Sequence, residues 1–494
     1  MINLPLDYIK KMRELLGQDY DAFISSYEKE KHQGFRIDPL KIDPLDFVSK
    51  FSSYFDFELR NIPWCSTGYY YPTDQTISKL SLYQAGLYYL QEPSAMSPVE
   101  LLDVRPGMKV LDLCAAPGGK SLQIAGKLRQ QGLLISNDIS LKRTKAILKN
   151  IEIGGVTNCI ITNAEPIQLA ERFACFFDRI LVDAPCSGEG MFRKDPDLIK
   201  AYHEISKNIQ PIQLEIMDHA SKMLRNGGRL IYSTCTFNKE ENEEVIRKFL
   251  EDHPDFVVQD PFALYPEIRL MGFISGYGIP SARLYPHKLE GEGHFIAIIE
   301  RRSSQESSDR SSEYPIDLSD TFRSDGSKGS VSIRSDFQRS KKGSKKTGRA
   351  FGKKEDPATD PRSSLARFEE EMLYSPIKGE VTISHDSFYK ECGFQDRLMG
   401  IRVIRNGLYL GDVIKGTFIP SSAFLSASKG SDLRHKISFP PDDPILYKYL
   451  RCETIHIDLP DGYHVVCVDD YPLGLIKVKN GTAKNLYNQN WRIL

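Results

Sequence analysis

The chain of 494 residues has nine cysteines but no Cys-x-x-Cys pair. That absence argues against a structural zinc site, and no metal is expected. The odd count and irregular spacing argue against a disulfide framework. Free thiols fit a reducing compartment, so a cytoplasmic location is expected. No apolar run reaches membrane-spanning length, and the first residues lack the apolar core of a signal peptide. A net charge of −1 gives no global bias toward polyanions, although it can conceal local patches. The dinucleotide fingerprint G-x-G-x-x-G is missing as well. Gly119-Lys120-Ser121 ends like a P-loop, but Cys114 stands where that loop requires its first glycine.

What is present is an alternation of apolar, β-branched runs with helical stretches between residues 76 and 300. The strand candidates are Lys109–Leu113, Leu133–Asn137, Cys159–Thr162, Arg179–Val182, Arg229–Thr234 and His294–Glu300. Helical patterns cover Lys120–Arg129, Leu141–Ile153, Ile212–Leu224 and Lys239–Leu250. Asn238 followed by Glu241 reads as the start of the last. The alternation predicts an α/β fold with a doubly wound parallel sheet.

Residues 1–75 read as a small α+β leading domain, with helices over Leu6–Leu16 and Asp19–Tyr27. Its aromatics at Tyr54, Phe55, Phe57, Trp64 and Tyr69-Tyr70-Tyr71 suit a small core better than a surface for stacking bases. Residues 301–365 turn serine-rich and then basic, with eight Lys or Arg and no acid from Arg339 to Lys354. Such a segment has too little apolar surface to fold alone, and its charge suits a tether for polyanions. Residues 366–494 regain short strand patterns, among them Leu398–Arg405, Leu408–Lys415, Thr454–Asp458, His464–Val468 and Leu473–Lys479. Turn pairs such as Asn406-Gly407 and Asp461-Gly462 punctuate this mainly β region.

In an open parallel sheet, ligands collect at the carboxyl ends of the strands. Three predicted strand ends carry unusual residues. The first runs into Cys114-Ala115-Ala116-Pro117-Gly118-Gly119-Lys120, a small-residue turn that lets backbone approach a ligand closely. Asp138, ending the next strand, suits ribose hydroxyls, so a nucleoside cofactor is implied. The other two carry Asp183-Ala184-Pro185-Cys186-Ser187-Gly188 and Ser233-Thr234-Cys235-Thr236. A single buried cysteine is usually an apolar filler. Two thiols at neighbouring strand ends beside a cofactor loop suggest covalent chemistry on a substrate.

Taken in order, Asp112-Leu113-Cys114 through Lys120, Asp138, Asp183 through Gly190 and Ser233 through Thr236 resemble the NOL1/NOP2/Sun family. These are S-adenosylmethionine-dependent RNA 5-methylcytosine methyltransferases. Phe192-Arg193-Lys194-Asp195-Pro196 and Cys467-Val468-Asp469-Asp470-Tyr471-Pro472-Leu473-Gly474 are similar to the branch acting on bacterial 16S rRNA. The resemblance implies a Rossmann-like class I methyltransferase domain over 76–300, an RNA-binding-like N-terminal domain and a C-terminal region ending in a PUA-like fold. It implies S-adenosyl-L-methionine as cofactor and rRNA as partner, with no membrane partner and a monomer as the default state.

By position, the resemblance makes Cys235 the nucleophile that attacks cytosine C6 and ties Cys186 to product release. Asp183 falls between the cofactor, which it helps bind, and the target base, whose edge it hydrogen-bonds or protonates. Cys114, Ala115, Ala116, Pro117, Gly118, Gly119 and Lys120 line the methionine and ribose side of the cofactor, and Asp138 holds the ribose. Asn163 falls where the family often has an acid near the adenine, with Glu165 as an alternative. Arg193 and Lys194 are placed to grip phosphates while the target base leaves its stack. Methylation of tRNA or 23S rRNA, a DNA methyltransferase and a non-catalytic assembly factor are the competing readings. The intact Cys235, Cys186 and Asp183 argue against the last, and the PUA-like end argues for RNA.

Overall fold

Runs such as Ile180–Val182 are apolar at every position because both faces of their sheet are covered. The computed structural model describes residues 4–303 and 360–493. Its central sheet contains β1 (Lys109–Asp112), β2 (Leu133–Asn137), β3 (Cys159–Asn163), β4 (Phe177–Asp183), β5 (Leu224–Thr234), β6 (Phe256–Gln259), β7 (Ile274–Ser275), β8 (Ala282–Leu284), β9 (His294–Arg301) and β10 (Arg402–Asn406). The order is β7-β8-β9-β5-β4-β1-β2-β3-β10, with β6 also paired to β9. The five strands β3-β2-β1-β4-β5 are parallel. Strand alternation sends Leu134, Ile161, Leu181 and Ile231 into one core and Leu111, Ile135, Ile160, Ile180 and Leu230 into the other. Winding reverses between β1 and β4, which puts the ligand crevice at their carboxyl ends.

The long helix Asp197–Met223 runs through Pro211, where the sequence places a start; one lost backbone donor does not end it. The helix expected from Lys239 begins at Glu243 instead. The reason is Glu241, whose carboxylate accepts from Ser187 N at 2.8 Å and Ser187 Oγ at 2.6 Å instead of capping a helix.

The edge strand β10 corrects the reading of Leu398–Arg405 as part of a separate β region. Arg402–Asn406 pairs antiparallel with β3, with Arg402 opposite Asn163. Arg405 adds an ion pair to Glu152 at 2.9 Å. The C-terminal region thereby covers an otherwise open sheet edge.

At the other end of the chain, Gln33–Ile37, Arg60–Ile62, Cys65–Tyr71 and Tyr88–Leu90 form one sheet, so the leading domain continues past residue 75. Phe35 stacks on Phe55 and Tyr69, and Trp64 and Tyr70 are buried, so these aromatics form core. The helix Leu6–Leu16 stands where its periodicity puts it, while the second helix shortens to Tyr20–Ser25.

Residues 304–359, with most of the expected linker and its basic run, lie outside the described residues. The helix Pro361–Met372 begins before that linker was expected to end, capped by Asp360. Two small sheets follow. One contains Thr382–Ser384, Ser387–Lys390, Leu408–Ile414 and Thr417–Pro420; the other runs Lys436–Phe439, Gly462–Val468, Tyr471–Lys479, Thr482–Asn485, Ile455–His456. The second shares a core with the leading domain, where Phe439, Leu446 and Tyr449 join Phe35, Phe47 and Phe51. Among the described residues, no helix is long and apolar enough to cross a membrane.

Candidate active site

β1 ends at Asp112 and enters the small-residue turn. Gly118 has φ +107°, a left-handed conformation that glycine adopts without strain, and a Cβ there would stand 3.1 Å from the Ile147 backbone. The helix Gly119–Leu128 starts directly after it. Asp112 is fully buried. Its Oδ2 accepts from Ser121 Oγ at 2.7 Å, while Oδ1 has no partner. Burial pushes its carboxyl up to about 7, and the nearby charges of Asp183 and Asp138 push the same way.

Asp138 shapes the turn from β2. Its Oδ2 accepts from Ala116 N at 3.3 Å, its Oδ1 from Ser140 N at 2.9 Å, and Arg143 stands 3.5 Å away. Asn163 donates its amide to the carbonyls of Asp138 and Ile139, each at 2.9 Å, so it braces the Asp138 loop. Ile139, beside Asp138, is 61% exposed.

Arg36, which sequence reasoning missed, is buried in the leading domain and donates from Nη2 to the Gly119 carbonyl at 2.9 Å. A lone arginine in a short strand offered no signal for that contact.

β4 delivers Asp183. Its Oδ2 accepts from Lys120 Nζ at 2.7 Å and its Oδ1 from Ser233 Oγ at 2.7 Å. Burial alone would raise this carboxyl. The Lys120 ammonium and His294 outweigh burial and hold it well below the usual carboxylate range. His294, also missed, has its Nε2 3.5 Å from Asp183 Oδ1.

Just past Asp183 and Ser233, the sulfurs of Cys186 and Cys235 lie 3.2 Å apart. The hydrogen bond with Cys235, together with burial, pushes the Cys186 thiol far up, so Cys186 keeps its proton. Two buried glutamates fix the cysteine loops to each other. Glu241 binds Ser187 and accepts from Asn238 at 3.0 Å; Glu189 accepts from Phe237 N at 3.0 Å, Tyr202 at 2.9 Å and Lys11 at 2.6 Å. Gly190 completes the junction: its N–H donates to the Cys235 carbonyl at 2.8 Å, and a Cβ on it would meet that oxygen at 2.9 Å.

Four family models match in chain order. They are the N-terminal domain of 16S rRNA methyltransferase RsmF over 4–93, 16S rRNA methyltransferase RsmB/F over 99–300, the RsmF rRNA methyltransferase first C-terminal domain over 367–427 and the methyltransferase RsmF PUA domain over 436–493. The chain belongs to the RsmB/F family. Relatives named ribosomal RNA small subunit methyltransferase F, from Salmonella paratyphi A and Salmonella agona, are 34% identical over 313 residues. That match covers 61% of this chain and 64% of the relatives' own length.

Among solved structures, a methyltransferase homolog protein from Pyrococcus horikoshii is 30% identical at a TM-score of 0.51, covering 59% of this chain and 93% of that one. NSun6 from Pyrococcus horikoshii, solved with SFG, is 20% identical at a TM-score of 0.52, covers 60% of this chain and 98% of that one, and supports the fold.

In this RsmB/F chain one expected contact is corrected. Arg193 is not a surface grip for phosphate. It is 4% exposed and forms a bidentate pair with the buried Glu292, Nε to Oε2 at 2.7 Å and Nη2 to Oε1 at 3.0 Å, and it also donates to the Ser26 carbonyl. A guanidinium with its donors used this way is a structural tie between the Pro-Cys loop and the leading domain. Lys194, its neighbour, is exposed.

Proposed function

We propose that this chain transfers a methyl group from S-adenosyl-L-methionine to C5 of a cytosine in RNA, with 16S rRNA as the substrate. The observation that carries the reading is the pair of thiols 3.2 Å apart beside an ionised Asp183 at the sheet's switch point. The names of the Salmonella relatives support the small-subunit substrate.

The residues present fit the cofactor. Asp112, Asp138 and Asp183 make the crevice acidic, which suits a ligand carrying a sulfonium and an ammonium, and the buried Asp112 Oδ1 lacks a donor. Asp138 is placed for the ribose and the exposed Ile139 for an apolar ring face. Cys114 to Lys120 supply the turn that approaches the ligand. Asn163 spends its amide on the Asp138 loop, so it acts at the adenine end through that loop. When bound, S-adenosyl-L-methionine supplies an electrophilic methyl group.

Cytosine C5 is a weak nucleophile, and the protein has to activate it. The Cys235 thiolate adds to C6 and pushes electron density to C5. Cys186, which keeps its proton, donates to the Cys235 sulfur before the attack. Asp183 stays ionised, so it accepts a hydrogen bond from the base edge instead of protonating it. Lys120 holds that carboxylate in place. After methyl transfer a base, water in the crevice, takes the C5 proton, the C–H electron pair re-forms the C5–C6 double bond, and the C6–S pair returns to Cys235 as thiolate, with Cys186 serving this release step. Lys194, exposed at the mouth of the Pro-Cys loop, is placed for RNA phosphate.

The test is methylation of 16S rRNA and of small-subunit particles by the purified protein with labelled cofactor, read by bisulfite sequencing. A new protected cytosine supports the reading. Label in tRNA or 23S rRNA alone moves the substrate, and no label in any RNA overturns the enzyme.

A further inference from the structure

His294 opens β9, 3% exposed, with neither ring nitrogen hydrogen-bonded. Burying an unpaired imidazole costs more than burying a phenyl ring of similar size, so core packing does not account for a histidine here. Its surroundings do. β9 runs antiparallel to β5 with Phe295 opposite Thr234, which places His294 across from Cys235, one step beyond the last paired residues. Its Nε2 faces Asp183 Oδ1 at 3.5 Å, closer than an unrelated neighbour would stand and longer than a finished hydrogen bond. Asp183 is therefore approached from three elements: Lys120 from the helix Gly119–Leu128, Ser233 from β5 and His294 from β9. Three contacts on two oxygens fix both the rotation and the plane of a carboxylate.

We propose that His294 is a positioning residue that donates from Nε2 to Asp183 Oδ1 and sets the plane in which Asp183 meets the target base. This rests on the reading of Asp183 as the group at the cytosine edge. His294 acts through Asp183 and does not itself touch the reacting atoms. The charged and titratable groups facing Asp183 are Lys120, His294, Asp112, Cys114 and Tyr232. Lys120 and His294 favour its ionised form. Removing His294 leaves Lys120 and Ser233 to hold the carboxylate, which stays ionised but loses the contact that fixes its plane.

The experiment compares single-turnover methylation of unmodified small-subunit RNA by the full chain and by His294→Phe, His294→Gln, His294→Asn and Asp183→Asn. His294→Phe is expected to keep the cofactor and RNA affinities and to lose about ten-fold or more in single-turnover rate. Glutamine places its amide nitrogen near the Nε2 position and restores most of the rate. Asparagine reaches only the Nδ1 position and does not, a difference that a purely structural role would not produce. If His294→Phe fails to fold, the glutamine–asparagine comparison decides alone. Equal rates for those two, or a phenylalanine variant with the parent rate, overturn the proposal. If Asp183→Asn loses activity in that case, the reading of Asp183 stands. If it keeps activity, both fall together.

Discussion

Cys186 and Cys235 reach the same point in space from adjacent parallel strands, their sulfurs 3.2 Å apart. In the proposed mechanism Cys235 attacks and Cys186 serves release. Cys186→Ala is expected to accumulate a covalent protein–RNA adduct, because the attacking sulfur remains and the release step is missing. Denaturing gels with labelled RNA read the adduct, which should disappear in the Cys186→Ala, Cys235→Ala double variant. Cys235→Ala alone should bind cofactor normally and transfer no methyl group. Free turnover by Cys235→Ala ends the nucleophile assignment.

Asp138 holds the Ala116 and Ser140 amides and is the ribose acceptor of the proposed cofactor site. Hydrogen bonds to a charged acceptor contribute about 1.5–3 kcal/mol each. Asp138→Ala should therefore weaken S-adenosyl-L-methionine about ten-fold or more. Calorimetry with the cofactor alone measures it, and an unchanged affinity removes Asp138 from the site.

Much of this was legible because the signals are local. The strands β1 to β4 and the second half of β5 are short runs rich in apolar residues, and the two cysteine motifs sit at the ends of β4 and β5, so periodicity and spacing recover the sheet. The contacts that tune the site are long-range, and no local signal carries them. Arg36 reaches Gly119 from another domain, and Arg402 reaches β3 across the whole catalytic region. Glu241 was visible, but its position matched a helix cap, and only the folded loop reveals Ser187 as its partner. Arg193 looked like a surface cation because charge is usually solvated; pairing with Glu292 is what permits its burial.

That pair sets a stability prediction. Arg193→Ala leaves the Glu292 carboxylate buried without its partner. Breaking a buried ion pair from one side typically costs about 3–5 kcal/mol. Urea unfolding should show a loss of that order, and the Arg193→Met, Glu292→Leu double variant should recover much of it. RNA affinity of the folded Arg193→Ala protein should fall by less than the effect of one lost phosphate contact. A large drop in the salt dependence of binding, with stability unchanged, would restore Arg193 to the RNA surface.

Asp112 gives the protein a pH dependence whose sign follows from its burial. Its carboxyl titrates at about 7 in the folded chain and at about 3.9 in an unfolded one. The folded state therefore holds this proton more tightly. The stability linked to that proton is fully present below about pH 3.9 and is lost as pH rises to about 7. Asp183 runs the other way: its lowered folded value contributes stability above the unfolded value, which disappears only as pH falls below it. Burial also pushes the Asp38 carboxyl up, to about 6, so the Asp112 share is read from the difference between parent and variant. Asp112→Asn cannot ionise and keeps an oxygen to accept from Ser121. Relative to the parent, it should gain stability from pH 4 to pH 8, by about 4 kcal/mol as an upper bound. Cofactor-free thermal unfolding at the two pH values measures that difference directly. A gap between variant and parent that is the same at both pH values means that Asp112 is ionised in the folded protein throughout, and that its Oδ1 has found a donor.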